Sequence, residues 1–177
     1  MKKILSLVLI SAMLLTFAIT LTSCGGPKFI FELNEDGASY TLVGMDNAKG
    51  DVVIPGTYKD LPVTKIGKFA IEDKPLMTSL VFPDSIVEIS EYALNGNLNK
   101  LESITIGKNV TLIGDYAFTS SSSLEFKQIN YCGTAEQWRT LCRYQTVTSN
   151  GEQKQVTRIY DDSKIVVKCD YVMPSAD

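Results

Sequence analysis

Apolar and polar residues alternate in short bursts that recur at a fixed spacing along the middle of the chain. Leu80 and Phe82 flank Val81, and Ile104 and Ile106 flank Thr105. This is the two-residue period of a short strand with one buried face. Pro83-Asp84-Ser85 and Gly107-Lys108-Asn109 come next and read as turns by composition. After them Ile89, Tyr92 and Ala93, and again Ile113, Tyr116 and Ala117, stand at i, i+3 and i+4. That spacing predicts a single helical or 3₁₀ turn with the three side chains on one face. Residues 77–94 therefore overlay 101–118 with a period of 24, with identities at Ser79/Ser103, Ile89/Ile113, Tyr92/Tyr116 and Ala93/Ala117. An earlier copy at 66–71 precedes 89–94 by 23 positions. Val53-Ile54-Pro55 precedes Val81-Phe82-Pro83 by 28, because residues 57–62 insert a longer turn. A fourth start, Leu124-Glu125, follows Leu101-Glu102 by 23 and then leaves the pattern.

One such unit cannot bury either of its apolar faces, whereas stacked units line their strands into a parallel sheet over a continuous core. The predicted fold is thus an α/β repeat solenoid, a short array with parallel strands over residues 51–130. Ala70, Ala93 and Ala117 mark a position with room only for a methyl group. The outward positions of the sheet, Val53, Val81 and Thr105 in one row and Asp51, Ser79 and Ser103 in the next, line up across the strands. They form the candidate binding face.

Both ends carry cap patterns. Two alternating runs, 29–33 and 39–44, flank the turn-rich Asn34-Glu-Asp-Gly37, which predicts a β-hairpin and makes 29–50 an N-terminal cap. Thr134 and Gln137 have capping-box spacing and open a helix predicted over 135–143. Its Trp138 and Leu141 would lie over the last repeat as a lid. Runs at 145–149, 153–160 and 164–171 read as strands joined at Asn150-Gly151 and at 161–163, so 131–177 forms a C-terminal cap of helix plus β strands.

The first residues read as an address. Lys2-Lys3 precedes the uncharged run 4–21, the layout of a secretory signal over 1–23, although that length by itself also suits a membrane span. Leu21-Thr22-Ser23-Cys24 resembles the lipobox of bacterial lipoproteins. That resemblance implies cleavage before Cys24, a diacylglycerol on its sulfur and a lipidated linker over 24–28. Acyl chains contribute roughly 0.8 kcal/mol per buried CH₂ and would hold the protein at a membrane. An uncleaved anchor or a plain secretory signal would export the same residues 25–177.

Composition narrows the chemistry. The net charge is −3 with no basic run, and loss of Lys2 and Lys3 with the leader makes the remainder more acidic, so nucleic acid is a poor partner. The histidine count is zero, which removes Ser-His-Asp and Cys-His nucleophile arrangements and His-ligated zinc. With Cys24 acylated, Cys132, Cys142 and Cys169 are an odd set with no C-x-x-C spacing, so one thiol stays free or pairs elsewhere. Asn34-Glu-Asp-Gly37 lacks the alternating oxygen ligands and closing Glu of a calcium loop. Asp161-Asp162 sits in a turn-like sequence, where Asp serves local backbone hydrogen bonds better than glycoside cleavage. The polar run 119–123 reads as an inter-repeat loop. No cofactor, no metal and no catalysis are expected.

Residues 52–67 (VVIPGTYKDLPVTKIG), the Ser-Ile-Thr-Ile and Ile-Gly-Asp-Tyr-Ala-Phe118 elements, and Tyr131-Cys-Gly-Thr-Ala-Glu-Gln-Trp138 occur in order. Together they resemble the BspA-like leucine-rich repeat proteins of bacterial cell surfaces, over about 29–141. The chain departs from that family in being short, and in Glu72-Asp-Lys-Pro75 and Asn95-Gly-Asn-Leu98, which replace the usual small, Cys-containing loop. The resemblance implies a leucine-rich repeat array on the cell surface. Family adhesins bind host matrix proteins or other bacteria, while other members carry the repeat with no known ligand. The expectation is a lipid-anchored module for protein recognition or adhesion, its partner a host matrix or bacterial surface protein. The runner-up is a glycan-binding or envelope-scaffold role, favoured if Tyr58, Trp138 and Tyr144 prove exposed and coplanar.

Overall fold

The chain winds into a parallel β-solenoid of about four turns, and each turn contributes short strands to neighbouring sheets. The structure, a computed structural model, describes residues 25–118, 127–142, 144–149, 152–157 and 165–174. The leader 1–23 with Cys24, the polar run 119–123, the repeat start at Leu124-Glu125, Arg143 and the Asp161-Asp162 pair lie outside the described residues.

In chain order the strands are β1 (Lys28–Leu33), β2 (Tyr40–Asp46), β3 (Lys49–Val53), β4 (Thr57–Tyr58), β5 (Leu61–Ile66), β6 (Ile71–Glu72), β7 (Leu76–Phe82), β8 (Glu88–Ile89), β9 (Leu94–Asn95), β10 (Ser103–Ile106), β11 (Leu112–Ile113) and β12 (Gln128–Tyr131). Helix α1 (Ala135–Leu141) follows, then β13 (Tyr144–Ser149), β14 (Glu152–Thr157) and β15 (Val166–Lys168). One sheet runs β3, β7, β10, β12, β15, all parallel; its opposite number runs β1, β2, β5, β8, β11. A third, minimal pairing joins β6 to β9.

The inward residues of these sheets share one core. Leu80, Phe82, Ile104, Ile106 and Ile129 come from the first sheet, Leu42, Val63, Ile66 and Ile89 from the second, and Ala70, Ile71, Ala93 and Leu94 from the third side. Each large side chain among them adds roughly 1.5–3 kcal/mol by leaving water. The three alanines are buried where neighbouring turns meet, in keeping with a position that takes only a methyl group.

One local expectation fails. Residues 89–93 and 113–117 do not form a helical turn. Ser90 donates its N–H to the Ile66 carbonyl at 2.9 Å, Gly114 to Ile89 at 2.8 Å and Leu94 to Ala117 at 2.9 Å. Amides that a helix would satisfy four residues back are satisfied by the neighbouring turn of the solenoid instead. Phe69, Tyr92 and Tyr116 occupy the corner at φ of 56°, 52° and 59°, a left-handed conformation that a helix cannot contain. Ile89 and Ala93 still face the core, but the tyrosines turn outward.

The N-terminal hairpin forms as β1 and β2 in antiparallel register. It is more than a lid, because β2 continues in parallel pairing to β5 and extends the second sheet. Helix α1 has the full capping box: Thr134 Oγ1 accepts from the Gln137 N–H at 3.2 Å, and Gln137 Oε1 accepts from the Thr134 N–H at 2.8 Å. It ends at Leu141, with Trp138 and Leu141 buried in the core. Beyond it β13 and β14 pair as an antiparallel hairpin, while β15 returns to the solenoid and adds in parallel to β12. No helix among the described residues is long and apolar enough to cross a membrane.

Candidate functional site

The outward face of the β3–β7–β10–β12–β15 sheet carries the six residues singled out by their spacing, and strand register puts them in rows. Asp51 pairs with Ser79 and Ser79 with Ser103; Val53 pairs with Val81 and Val81 with Thr105. Parallel ladders stack equivalent positions directly, so the 24- and 28-residue offsets become neighbours across the sheet.

The face is not uniform. At the β3 edge Val53 is 52% exposed, Asp51 is exposed, and Ser79, Val81 and Ser103 are half-buried. Thr105, expected at the surface, is only 5% exposed, and its row continues into Asn130 at 4%. The Asn130 amide donates to Thr105 Oγ1 at 3.3 Å, and Gln128 Nε2 donates to Asn130 Oδ1 at 2.6 Å. The accessible parts of the face are therefore its β3–β7 half and the far β15 edge, where Val166 and Lys168 continue the two rows and are exposed, and the β10–β12 middle is a polar network. Gln128 and Asn130 escaped sequence reading because the fourth unit has lost the repeat pattern; the alternation Gln128-Ile129-Asn130-Tyr131 is the signal that could have found them.

Asp51 is held in place. Its Oδ1 accepts from Ser79 Oγ at 2.7 Å and Thr78 Oγ1 at 2.9 Å. Those hydroxyls, Ser79 first, draw its carboxyl below the ordinary range. The β3–β7 half thus pairs a fixed negative charge with an apolar spot at Val53 and Val81.

A second surface feature was not foreseen. Phe69, Tyr92 and Tyr116 stack ring on ring, with centroids 5.9 and 5.4 Å apart and interplanar angles of 27° and 17°. The Lys68 ammonium stands 5.3 Å from both the Phe69 and Tyr92 centroids and bonds Glu91 at 2.6 Å. The end rings of this stack, Phe69 and Tyr116, are 42% and 44% exposed. The other aromatic set does not come together. Tyr58 packs on Phe31 and Tyr40 in the N-terminal cap, Trp138 is 4% exposed against Tyr131 in the C-terminal cap, and the Tyr144 side chain lies outside the described residues. A coplanar Tyr58–Trp138–Tyr144 platform is excluded by these positions. Cys132 and Cys169 are free thiols whose pKa burial pushes up, with Asp84 adding at Cys132 and Asp170 at Cys169. Cys142, the C-cap of α1, is buried.

Residues 55–160, more than half of the chain, match the description "BspA type leucine rich repeat region (6 copies)". The chain belongs to the BspA-type leucine-rich repeat family. Solved leucine-rich repeat structures resemble it. One from Bacteroides ovatus is 28% identical, covering 58% of this chain and 30% of that one, with a TM-score of 0.44. A leucine rich cell surface protein from Faecalibacterium prausnitzii is 25% identical, covering 79% and 41%, with a TM-score of 0.47. The leucine-rich repeat protein of T. pallidum is 17% identical, covering 58% and 68%, with a TM-score of 0.41. The chain thus spans well under half of the Bacteroides and Faecalibacterium proteins. No curated protein sequence matches it.

Proposed function

We propose that this BspA-type repeat chain is an exported, lipid-anchored surface module that recognises another protein, without catalysis, through the open half of its β3–β7–β10 face. The observation that carries this reading is the registered patch itself. Asp51, fixed by two hydroxyls, sits beside exposed Val53 and half-exposed Val81 on the broad sheet of a repeat array. Sheet faces of solenoids offer extended surfaces suited to protein partners, and a small apolar spot next to a fixed charge suits a partner with an apolar anchor and a basic rim. A host matrix protein or a bacterial surface protein fits that description better than a glycan, since Tyr58 and Trp138 of the expected aromatic platform are packed into separate caps.

Anchoring rests on Cys24 in Leu21-Thr22-Ser23-Cys24. Cells expressing the chain and fed an alkynyl fatty acid should label it, and Cys24→Ser should abolish the label; retained label on the variant would end the anchoring proposal. For the face, the immobilised chain is offered matrix proteins and envelope extract beside Val53→Glu/Val81→Glu, both positions being open enough to accept a carboxylate. Thr105 is left alone because a buried Glu there would unfold the array. Capture by the native chain and not by the variant supports the face. Equal capture by both places recognition elsewhere.

A further inference from the structure

Where the repeat array meets its C-terminal cap, α1 replaces the turn that a fourth unit would have stacked on residues 107–111. The helix does not fill the same space, and a cleft of about 380 Å³ remains between them. Lys108, Asn109, Val110 and Thr111 line one side, and Gln137, Thr140 and Leu141 line the other, with Tyr131 between. That volume lies within the range of small-ligand sites.

The polar groups of this cleft divide into those already engaged and those left over. Asn109 Nδ2 donates to the Asp84 carbonyl, Thr111 Oγ1 to the Val87 carbonyl, Thr140 Oγ1 to the Glu136 carbonyl, and Gln137 Oε1 accepts from Thr134 N–H. Two donors remain. The Lys108 side chain is exposed and forms no ion pair among the described residues, and Lys108 is the only charged residue lining the cleft. Tyr131 is only 1% exposed; its hydroxyl makes no hydrogen bond to a described residue and is not among the fully enclosed polar atoms, so it keeps a small opening. The tip of its ring lies on the Gln137 side, for a Cβ on Gly133 would stand 2.6 Å from Tyr131 Cε1 and Cζ and from Gln137 Oε1. Burial raises the Tyr131 pKa, so it stays protonated and donates.

We infer that this cleft is a binding site for an apolar carboxylate, the anion received by the Tyr131 hydroxyl and the Lys108 ammonium and the apolar body lying against Val110 and Leu141. That chemistry belongs both to the chain end of a peptide closing on an aromatic or branched residue and to a free aryl or branched-chain acid. The site lies apart from the sheet face proposed for protein recognition and does not depend on it.

Trp138, the single tryptophan of the chain, packs 5.2 Å from the Tyr131 ring and reports on the site. The full chain is titrated with acetyl-Gly-Phe, with its C-terminal amide and with 3-phenylpropionate, followed by Trp138 fluorescence and by calorimetry. Saturable binding of a free acid, with the amide at least about 10-fold weaker, is the expected result. A tighter peptide names a chain end as the natural ligand, and equal affinities name a free acid. Tyr131→Phe removes one oxygen from a ring whose carbons stay packed, and Lys108→Gln alters an exposed side chain, so both variants keep the fold. Each should weaken binding about 10-fold, the loss of one hydrogen bond to a charged acceptor. Absence of saturable binding by either acid, an amide as tight as its acid, or unchanged affinity in both variants would overturn the assignment.

Discussion

Gly114 shows how closely successive turns approach. A Cβ there would stand 2.3 Å from the Glu91 backbone nitrogen and 2.7 Å from its Cα, atoms held by the neighbouring turn. Gly114→Ala should therefore cost about 1–3 kcal/mol by forcing the turns apart, whereas Gly26→Ala, with nothing within 4 Å, should stay within about 0.5 kcal/mol. Urea denaturation of both variants checks the contrast. Tyr92 and Tyr116 make the opposite point, since their left-handed corners carry a backbone cost that ring stacking between turns offsets by about 0.5–1.5 kcal/mol per pair. Asp51 predicts a pH effect. Its folded-state pKa lies below the ordinary value of 3.8, so its hydrogen bonds contribute fully above that value and are lost as pH falls beneath it. Asp51→Asn should flatten that acid loss, visible as a shallower fall of thermal midpoint with pH through the carboxylate range.

At the scale of elements, buried apolar residues outweigh surface pairs. Ile89 in β8 and Ile113 in β11 sit in register on the inward side and are essentially inaccessible. Ile89→Ala or Ile113→Ala should cost about 2–5 kcal/mol through the cavity left behind. Lys65→Met, which breaks the half-exposed 2.7 Å pair with Glu88, should cost at most about 1 kcal/mol. Thermal or urea melts of the three variants rank them, and a Lys65→Met loss as large as that of Ile89→Ala would contradict this weighting. The strands of the β3–β7–β10 sheet and both hairpins were legible in sequence because their two-residue period and turn residues are local signals, whereas the two-residue strands β6, β8, β9 and β11 were not. The corner at 89–93 was not. Its i, i+3, i+4 spacing is shared by a helical turn and by a strand leading into a left-handed corner. What separates them is whether amides bond along the chain or to the next turn.

For the whole molecule, the core is one contiguous cluster from Leu42 in the N-terminal cap to Cys142 after α1. Neighbouring turns share their ladders, so no turn keeps its hydrogen bonds when its neighbour opens. Urea unfolding followed by Trp138 fluorescence and by far-ultraviolet circular dichroism should give coincident transitions. An earlier transition at Trp138 would make the C-terminal cap an independent unit.

What the sequence by itself determined is the architecture: the 24-residue period dictates side-by-side stacking, since no single unit can bury its own apolar faces, and the alternation within it names Asp51, Val53, Ser79, Val81, Ser103 and Thr105 as one outward sheet surface. The tertiary structure alone decided which of these meet solvent, because the burial of Thr105 comes with Asn130, a residue 25 positions away in a unit that has lost the pattern. It alone decided the Tyr131–Lys108 cleft as well. Periodicity describes what adjacent turns repeat, and that cleft exists where the repetition stops and a helix of different shape takes the place of a turn.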